Sequence, residues 1–443
     1  MDKPIFKVSG YRGVWKETLT EEIVINLIRA FIKYTNKEKP TILVGRDGRE
    51  SGPRIKKIII KELKQLGVTV IDGGILPTPT VLFSVKKFKY DGGIIITASH
   101  NPIEYNGIKL VGDDGLFISE QNCKKINEYY GQEIKHCRGK TKLITPNFPK
   151  EHVKQIINSI DVGIIKKRKF KVAVDMINAS ASVIDPILFR KLGVKLIPLN
   201  DTPNGKFNHK PEPLKENLQD VANLVKEKKA DLGFAHDPDA DRLVIINEKG
   251  EVISEEYTLV LSLETILSKN PNSTVVLNLS TSQMGADVAE KYNCKCLRSK
   301  IGEPNVVNKM IENNAIIGGE GNGGVIYPKI NLARDSFVGL SLILEFLAKE
   351  NKTITEAISA LPKYYIKKDK WPVKDLNQIY SKIKENYKEA KFDEQDGLRV
   401  DFADKSWVHL RPSNTEPIIR LFGEAKTQER IASLFEEVKQ FII

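Results

Sequence analysis

Short apolar runs alternate with amphipathic stretches along most of this chain. Thr41-Ile42-Leu43-Val44-Gly45 predicts a buried strand that ends at a polar turn. Arg54 to Leu66 predicts a helix, with Gly67 as its stop. Val68-Thr69-Val70-Ile71 predicts the next strand. Gly92-Gly93-Ile94-Ile95-Ile96-Thr97 predicts another, of the short apolar kind that parallel sheets bury. Strand, helix and strand in this rhythm predict α/β layers.

The rhythm restarts twice. Phe170 to Asp175 opens a second unit, with a helix over Pro186 to Leu192 and a strand over Ala230 to Ala235. Ser273 to Asn278 opens a third, and Ala315 to Gly319 is again a strand running into glycines. After about Tyr365 the pattern changes to short strands over 398–402, 407–410 and 418–422, closed by an amphipathic helix from Gln428 to Ile442. That is α+β character. The expected domains are 1–149, 150–247, 248–366 and 367–443.

The length of 443 residues and 41% apolar content agree with a soluble protein of about three domains, give or take one. No run of 18 apolar residues occurs, and the N-terminus has no signal-peptide pattern, so a cytoplasmic location without membrane contact is expected. Cys123, Cys137, Cys294 and Cys296 form no zinc-ligand spacing and read as reduced thiols. The net charge of +12 is dispersed and matches no nucleic-acid motif. It is weak support for a phosphate-bearing substrate.

The sharpest chemical signal is Asp237-Pro238-Asp239-Ala240-Asp241-Arg242, directly after an apolar strand. In extended chain the three acids share one side. Converging carboxylates repel unless a cation neutralises them, and all-oxygen ligands favour Mg²⁺ or Ca²⁺. An EF-hand also begins D-x-D-x-D, and Glu248 stands at the twelfth place. Its sixth place requires Gly, however, and here holds Arg242. A solvated acidic loop is the plain alternative.

Thr97-Ala98-Ser99-His100-Asn101-Pro102 follows the strand ending at Ile96, where α/β sheets bind ligands. A tight turn there can present Ser99 as a nucleophile or be structural only. His100 is a catalytic candidate by position, although adjacency in sequence does not turn it toward Ser99. The G-x-S-x-G elbow is absent. Gly318 to Gly324, G-G-E-G-N-G-G, is no Walker loop, and Glu320 with Asn322 can exchange hydrogen bonds with sugar hydroxyls or form a flexible turn. Arg411-Pro412-Ser413-Asn414-Thr415-Glu416-Pro417 makes either a phosphate cradle or a hairpin turn.

These four segments, in this order, resemble the α-D-phosphohexomutase superfamily over essentially the whole chain. The resemblance implies three related α/β domains with mixed sheets and a smaller C-terminal α+β domain around a central cleft. It implies Ser99 as the phosphoserine, with Asp237, Asp239, Asp241 and a Ser99-phosphate oxygen around Mg²⁺. It implies Arg12 and Arg242 near the phosphoserine and Lys109 as general acid/base. Glu320 and Asn322 look like the sugar readers. Arg411, Ser413, Asn414 and Thr415 look like the clamp on the non-reacting phosphate. The implied reaction interconverts a hexose 1-phosphate and 6-phosphate through a hexose 1,6-bisphosphate, in a monomer or homodimer. The form of the sugar loop resembles phosphoglucosamine mutases, with phosphomannomutase/phosphoglucomutase as the alternative and a serine-based sugar phosphatase as a remote one. The chain departs from the family pattern at Phe6 to Gly13, where the acid before Gly10 is replaced by Ser9. It departs again at Asn178 to Ala181, and at Pro238 and Ala240, where glycines are common.

Overall fold

The computed structural model describes residues 5–134, 146–372, 375–412 and 418–442. They form two compact bodies: Met1–Thr258 with Gly323–Thr355, and Leu259–Asn322 with Glu356–Ile443.

The first body holds two mixed sheets. In one, strands β1 (Tyr11–Val14), β2 (Thr41–Arg46), β3 (Thr69–Ile75), β4 (Gly92–Ile96) and β5 (Tyr105–Val111) lie in the order β1-β5-β4-β2-β3. β2 pairs in parallel with β3 and β4, whereas β4–β5 and β5–β1 are antiparallel. Every residue of β4 is buried, as a strand covered on both faces requires. Ile94 and Ile96 pack with Ile42, Val44, Ile108 and Phe31 on one face, and Ile95 with Leu43 and Val81 on the other. Each such side chain contributes roughly 1.5–3 kcal/mol. The helix over Glu21–Thr35 begins where Thr20 Oγ1 accepts from Ile23 N at 3.3 Å. The expected helix before Gly67 spans Gly52–Gln65.

In the second sheet, β6 (Lys171–Asp175), β7 (Lys195–Leu199), β8 (Leu232–His236) and β9 (Leu243–Ile246) take the order β7-β6-β8-β9, with only β8–β9 antiparallel. The buried strands β4 and β8 therefore end at the serine loop and the acidic run respectively. Strand carboxyl ends are where open α/β sheets bind ligands.

The second body contains the parallel strands β10 (Thr274–Asn278), β11 (Lys295–Ser299) and β12 (Ile317–Glu320), with β10 central. The short β13 (Gly324–Ile326) belongs to the first body. The tail has the expected α+β form. Strands β14 (Tyr365–Pro372), β15 (Lys391–Asp393), β16 (Leu398–Asp401), β17 (Trp407–Pro412) and β18 (Ile418–Ala425) make an antiparallel sheet. The helix Gln428–Ile442 packs Leu434, Phe435 and Val438 into the core beneath it. Cys123, Cys294 and Cys296 are free thiols; Cys137 lies outside the described residues. Among the described residues, no helix is long and apolar enough to cross a membrane.

Candidate active site

The serine loop is held from three sides. Ser99 has φ +49°, a left-handed conformation that few non-glycine residues adopt. Its N–H donates to Thr97 Oγ1 at 2.9 Å, and that hydroxyl donates to Asp47 Oδ2 at 2.7 Å. Arg49, fully buried beside Asp47, spends its guanidinium on the loop. Nη2 donates to the carbonyls of Ser99 (2.7 Å) and Asn101 (2.6 Å), and Nη1 to those of Pro102 (2.6 Å) and Tyr105 (2.9 Å). Arg12 Nη1 closes the third side, donating to Asn101 Oδ1 at 2.7 Å. The hydroxyl thus fixed donates to Asp237 Oδ2 at 3.0 Å and lies 3.2 Å from His100 Nδ1.

Asp237, Asp239 and Asp241 converge, with ligand oxygens all within 4.8 Å of one another. Extended alternation does not bring them together. The run folds into a turn in which Ala240 takes φ +54° and its N–H donates to Asp237 O at 3.0 Å. The carbonyl of Pro238 accepts from Ser180 Oγ, and that of Ala240 from Ser336 Oγ, both at 2.7 Å.

Each carboxylate has one oxygen tied and one directed to other use. Asp237 Oδ1 accepts from the N–H groups of Asp241 and Arg242, both at 3.1 Å, and its Oδ2 faces Ser99. Asp239 Oδ2 accepts from Lys109 Nζ and Thr78 Oγ1, both at 2.7 Å. Asp241 Oδ2 accepts from Arg334 Nη2. Asp239 Oδ1 and Asp241 Oδ1 are buried and make no hydrogen bond among the described residues. Buried acceptors left open are costly, and two from neighbouring acids describe a cation's coordination set. The all-oxygen donors suit a hard divalent ion.

The charges follow from this packing. Burial raises the Asp237 carboxyl well above its usual range, and Asp241 and Asp239 push it further. Burial acts the same way on Asp239, but Lys109 outweighs it and holds that carboxyl down. Burial lowers the Arg12 guanidinium against the pull of Asp239 and Asp241. Burial, then Arg242 and Arg12, push the His100 imidazole down to about 2. The His100 ring is therefore held neutral beside the Ser99 hydroxyl.

In the second body, Glu320 ends β12. Its Oε1 accepts from Asn278 Nδ2 and Gly302 N, both at 2.9 Å. Asn322 Oδ1 is buried without a hydrogen bond among the described residues. Arg411, next to last in β17, has Nη1 3.9 Å from Asp396 Oδ2, and its buried Nε makes no hydrogen bond among the described residues. Ser413, Asn414 and Thr415 lie outside the described residues.

The residues of the first body thus bring Ser99, His100, Arg12, Lys109, Arg242 and the three acids to one place. Asp47, Arg49, Thr78, Thr97 and Arg334 escaped sequence reading. Arg46-Asp47-Gly48-Arg49 carries a signal, since a charged pair directly after an apolar strand is placed at the strand's ligand-facing end. Arg334 carries none, because it reaches Asp241 across 93 positions.

Four family models match the chain in order. They are phosphoglucomutase/phosphomannomutase alpha/beta/alpha domain I at 3–136, domain II at 150–250, domain III at 254–365 and the C-terminal domain at 366–441. A phosphoglucomutase/phosphomannomutase of Thermococcus kodakarensis is 39% identical, covering 98% of this chain and 97% of its own. A phosphoglucosamine/phosphogalactosamine mutase of Sulfurisphaera tokodaii is 36% identical, covering 99% of each. The solved structure of a phosphoglucomutase/phosphomannomutase family protein from Burkholderia thailandensis superposes with a TM-score of 0.87 at 27% identity. It covers 100% of this chain and 97% of that one.

Proposed function

Because the chain belongs to the phosphoglucomutase/phosphomannomutase family of α-D-phosphohexomutases, we propose that it interconverts glucosamine 6-phosphate and glucosamine 1-phosphate through a phosphorylated Ser99. The observation that carries this reading is the Ser99 hydroxyl on Asp237 beside the open oxygens of Asp239 and Asp241.

In this reading, Asp237, Asp239, Asp241 and an oxygen on Ser99 hold Mg²⁺. When bound, Mg²⁺ supplies charge neutralisation for the transferring phosphoryl group. The phosphoryl on Ser99 passes to the substrate's free hydroxyl. The Oγ–P bond breaks, a sugar O–P bond forms, the sugar hydroxyl gives up its proton and Ser99 Oγ takes one. The resulting hexose 1,6-bisphosphate turns round and returns its other phosphoryl to Ser99. Phosphoryl transfer demands positioning and charge more than covalent invention. Arg12 and Arg242 meet the phosphoryl charge, and Lys109, 2.7 Å from Asp239 Oδ2, serves as general acid/base. Glu320 and Asn322 read sugar hydroxyls, and Arg411 with Ser413, Asn414 and Thr415 holds the phosphate that is not reacting.

The proposed domains are 1–149, 150–247, 248–366 and 367–443, in a cytoplasmic monomer or homodimer. Mixed phosphomannomutase/phosphoglucomutase activity is the second reading, supported by the Thermococcus relative. A coupled assay across glucosamine, mannose and glucose phosphates, primed with the matching bisphosphate, decides between them. The highest kcat/KM is expected for glucosamine 6-phosphate, and Ser99→Ala is expected to lose turnover. Preference for mannose or glucose phosphates selects the second reading. Inorganic phosphate released as fast as substrate is lost shows a phosphatase instead.

A further inference from the structure

We propose that Phe207 is a positioning residue for phosphoryl transfer: its ring braces the Arg49 guanidinium and, through it, holds the Ser99 turn. The proposal rests on the reading of Ser99 as phosphoryl carrier. Arg49 directs its N–H groups, all in one plane, at Asp47 and at the carbonyls of Ser99, Asn101, Pro102 and Tyr105. Those bonds leave its faces free, and Phe207 lies with its ring centroid 5.1 Å from Cζ. A cation over a ring face is attracted by the ring quadrupole, most strongly when shielded from water, as Arg49 is.

Core burial does not account for Phe207. The side chain is only partly buried, between exposed Lys206 and Asn208 on the loop that follows β7. That loop is built to reach this spot. Gly205 has φ +72°, and a Cβ there would stand 2.2 Å from Gly48 O, so only glycine lets the two backbones meet. Gly205 N donates to Asn178 O at 3.0 Å. Asn178 then grips the loop with its side chain: Nδ2 donates to Lys206 O at 2.8 Å and Oδ1 accepts from Thr202 N at 3.2 Å. The second sheet's loop is thereby keyed to the backbone beside Arg49, with Phe207 as its contact on the guanidinium face. A small displacement of a nucleophile costs far more rate than stability. The effect of Phe207 therefore falls on the transfer step and not on substrate affinity.

The test uses the full chain and glucose 1,6-bisphosphate as phosphoryl donor. Ser99 phosphorylation is followed in a single turnover by intact-protein mass, beside steady-state kcat and KM and thermal unfolding. Phe207→Leu is expected to slow Ser99 phosphorylation about tenfold while KM stays within about twofold and the fold is retained. Phe207→Trp, which restores a ring face, is expected to return the rate to within about twofold of the parent chain. The proposal is overturned if Phe207→Leu phosphorylates at the parent rate, or if Phe207→Trp is no faster than Phe207→Leu. It is also overturned if the loss tracks a raised KM or an unfolded protein. If the parent chain takes no phosphoryl group on Ser99, the carrier reading itself falls, and this proposal with it.

Discussion

Replacing Thr97 by valine removes one oxygen and keeps the side-chain shape. That oxygen accepts from Ser99 N at 2.9 Å and donates to Asp47 Oδ2 at 2.7 Å, and all three residues are buried. Losing a donor to a buried carboxylate costs about 1.5–3 kcal/mol, and stranding the Ser99 N–H costs about 1–3 kcal/mol. One substitution incurs both, so a total of roughly 3–5 kcal/mol follows. The effect extends to the turn itself. Ser99 sits at φ +49°, which costs a non-glycine residue about 1–2 kcal/mol and persists only while its anchors hold. Burial raises the Asp47 carboxyl, and Arg49 and Thr97 pull it back, so the variant also leaves that acid less well balanced. Urea unfolding should show the stability loss. Single-turnover phosphorylation of Ser99 should slow at least about tenfold, with KM for the phosphosugar nearly unchanged. Thr97→Ser keeps the oxygen and should retain most of both. A Thr97→Val chain within about 0.5 kcal/mol of the parent, phosphorylating at the parent rate, would refute the claim that this hydroxyl holds the nucleophile loop.

Exhaustive chelation should abolish turnover and Mg²⁺ should restore it; isothermal titration should lose Mg²⁺ binding in Asp239→Asn, and full activity after dialysis against EDTA would remove the cation from the mechanism. Arg411→Ala should lower kcat/KM roughly 10- to 150-fold for the 1-phosphate and the 6-phosphate alike, with Arg411→Lys recovering part; a change within twofold for both would return the loop to a plain hairpin. His209 places Nε2 3.0 Å from Asp175 Oδ2 and Nδ1 2.8 Å from Lys210 O, two acceptors that demand the doubly protonated ring. Burial works against that charge, but Asp175 outweighs it, with Lys210 O and Asp220 adding to the pull, and the imidazole is raised above its ordinary 6.5. Its contribution to stability is therefore complete below 6.5 and lost as pH rises through the raised value. Thermal unfolding of the parent and of His209→Gln should converge with rising pH above that point, and parallel curves would exclude the linkage.

The parts legible in the sequence are those whose signal is local. β4 is readable because five residues buried on both faces leave a purely apolar run. The acidic run is readable because converging carboxylates repel unless a cation neutralises them, and the Ser99 loop because it follows the carboxyl end of a buried strand. The geometry behind them was less legible. The three acids converge through a left-handed Ala240, not through strand alternation, because carbonyls at Pro238 and Ala240 are captured by Ser180 and Ser336 from distant segments. His100 meets Ser99 because of a single positive φ that no residue type announces. Thr78 and Arg334 reach the acids across 161 and 93 positions, and local pattern carries no trace of such pairings.

Ser9, which stands where the family pattern that the sequence resembles has an acid before the glycine, lies beside a segment whose arginine is anchored by other means. Arg12 is anchored by Asn101 Oδ1 at 2.7 Å and Ala98 O at 3.3 Å, both in the Ser99 loop. Gly10 is kept because its φ of +87° brings the backbone against β5, where a Cβ would lie 2.5 Å from Ile108 O. β1 is thereby held in register with β5, Arg12 opposite Gly107, and the guanidinium still faces the loop. Its Nε remains buried and makes no hydrogen bond among the described residues. An unpaired donor at that depth costs about 1–3 kcal/mol. A ligand oxygen brought beside Arg12 would lift that cost.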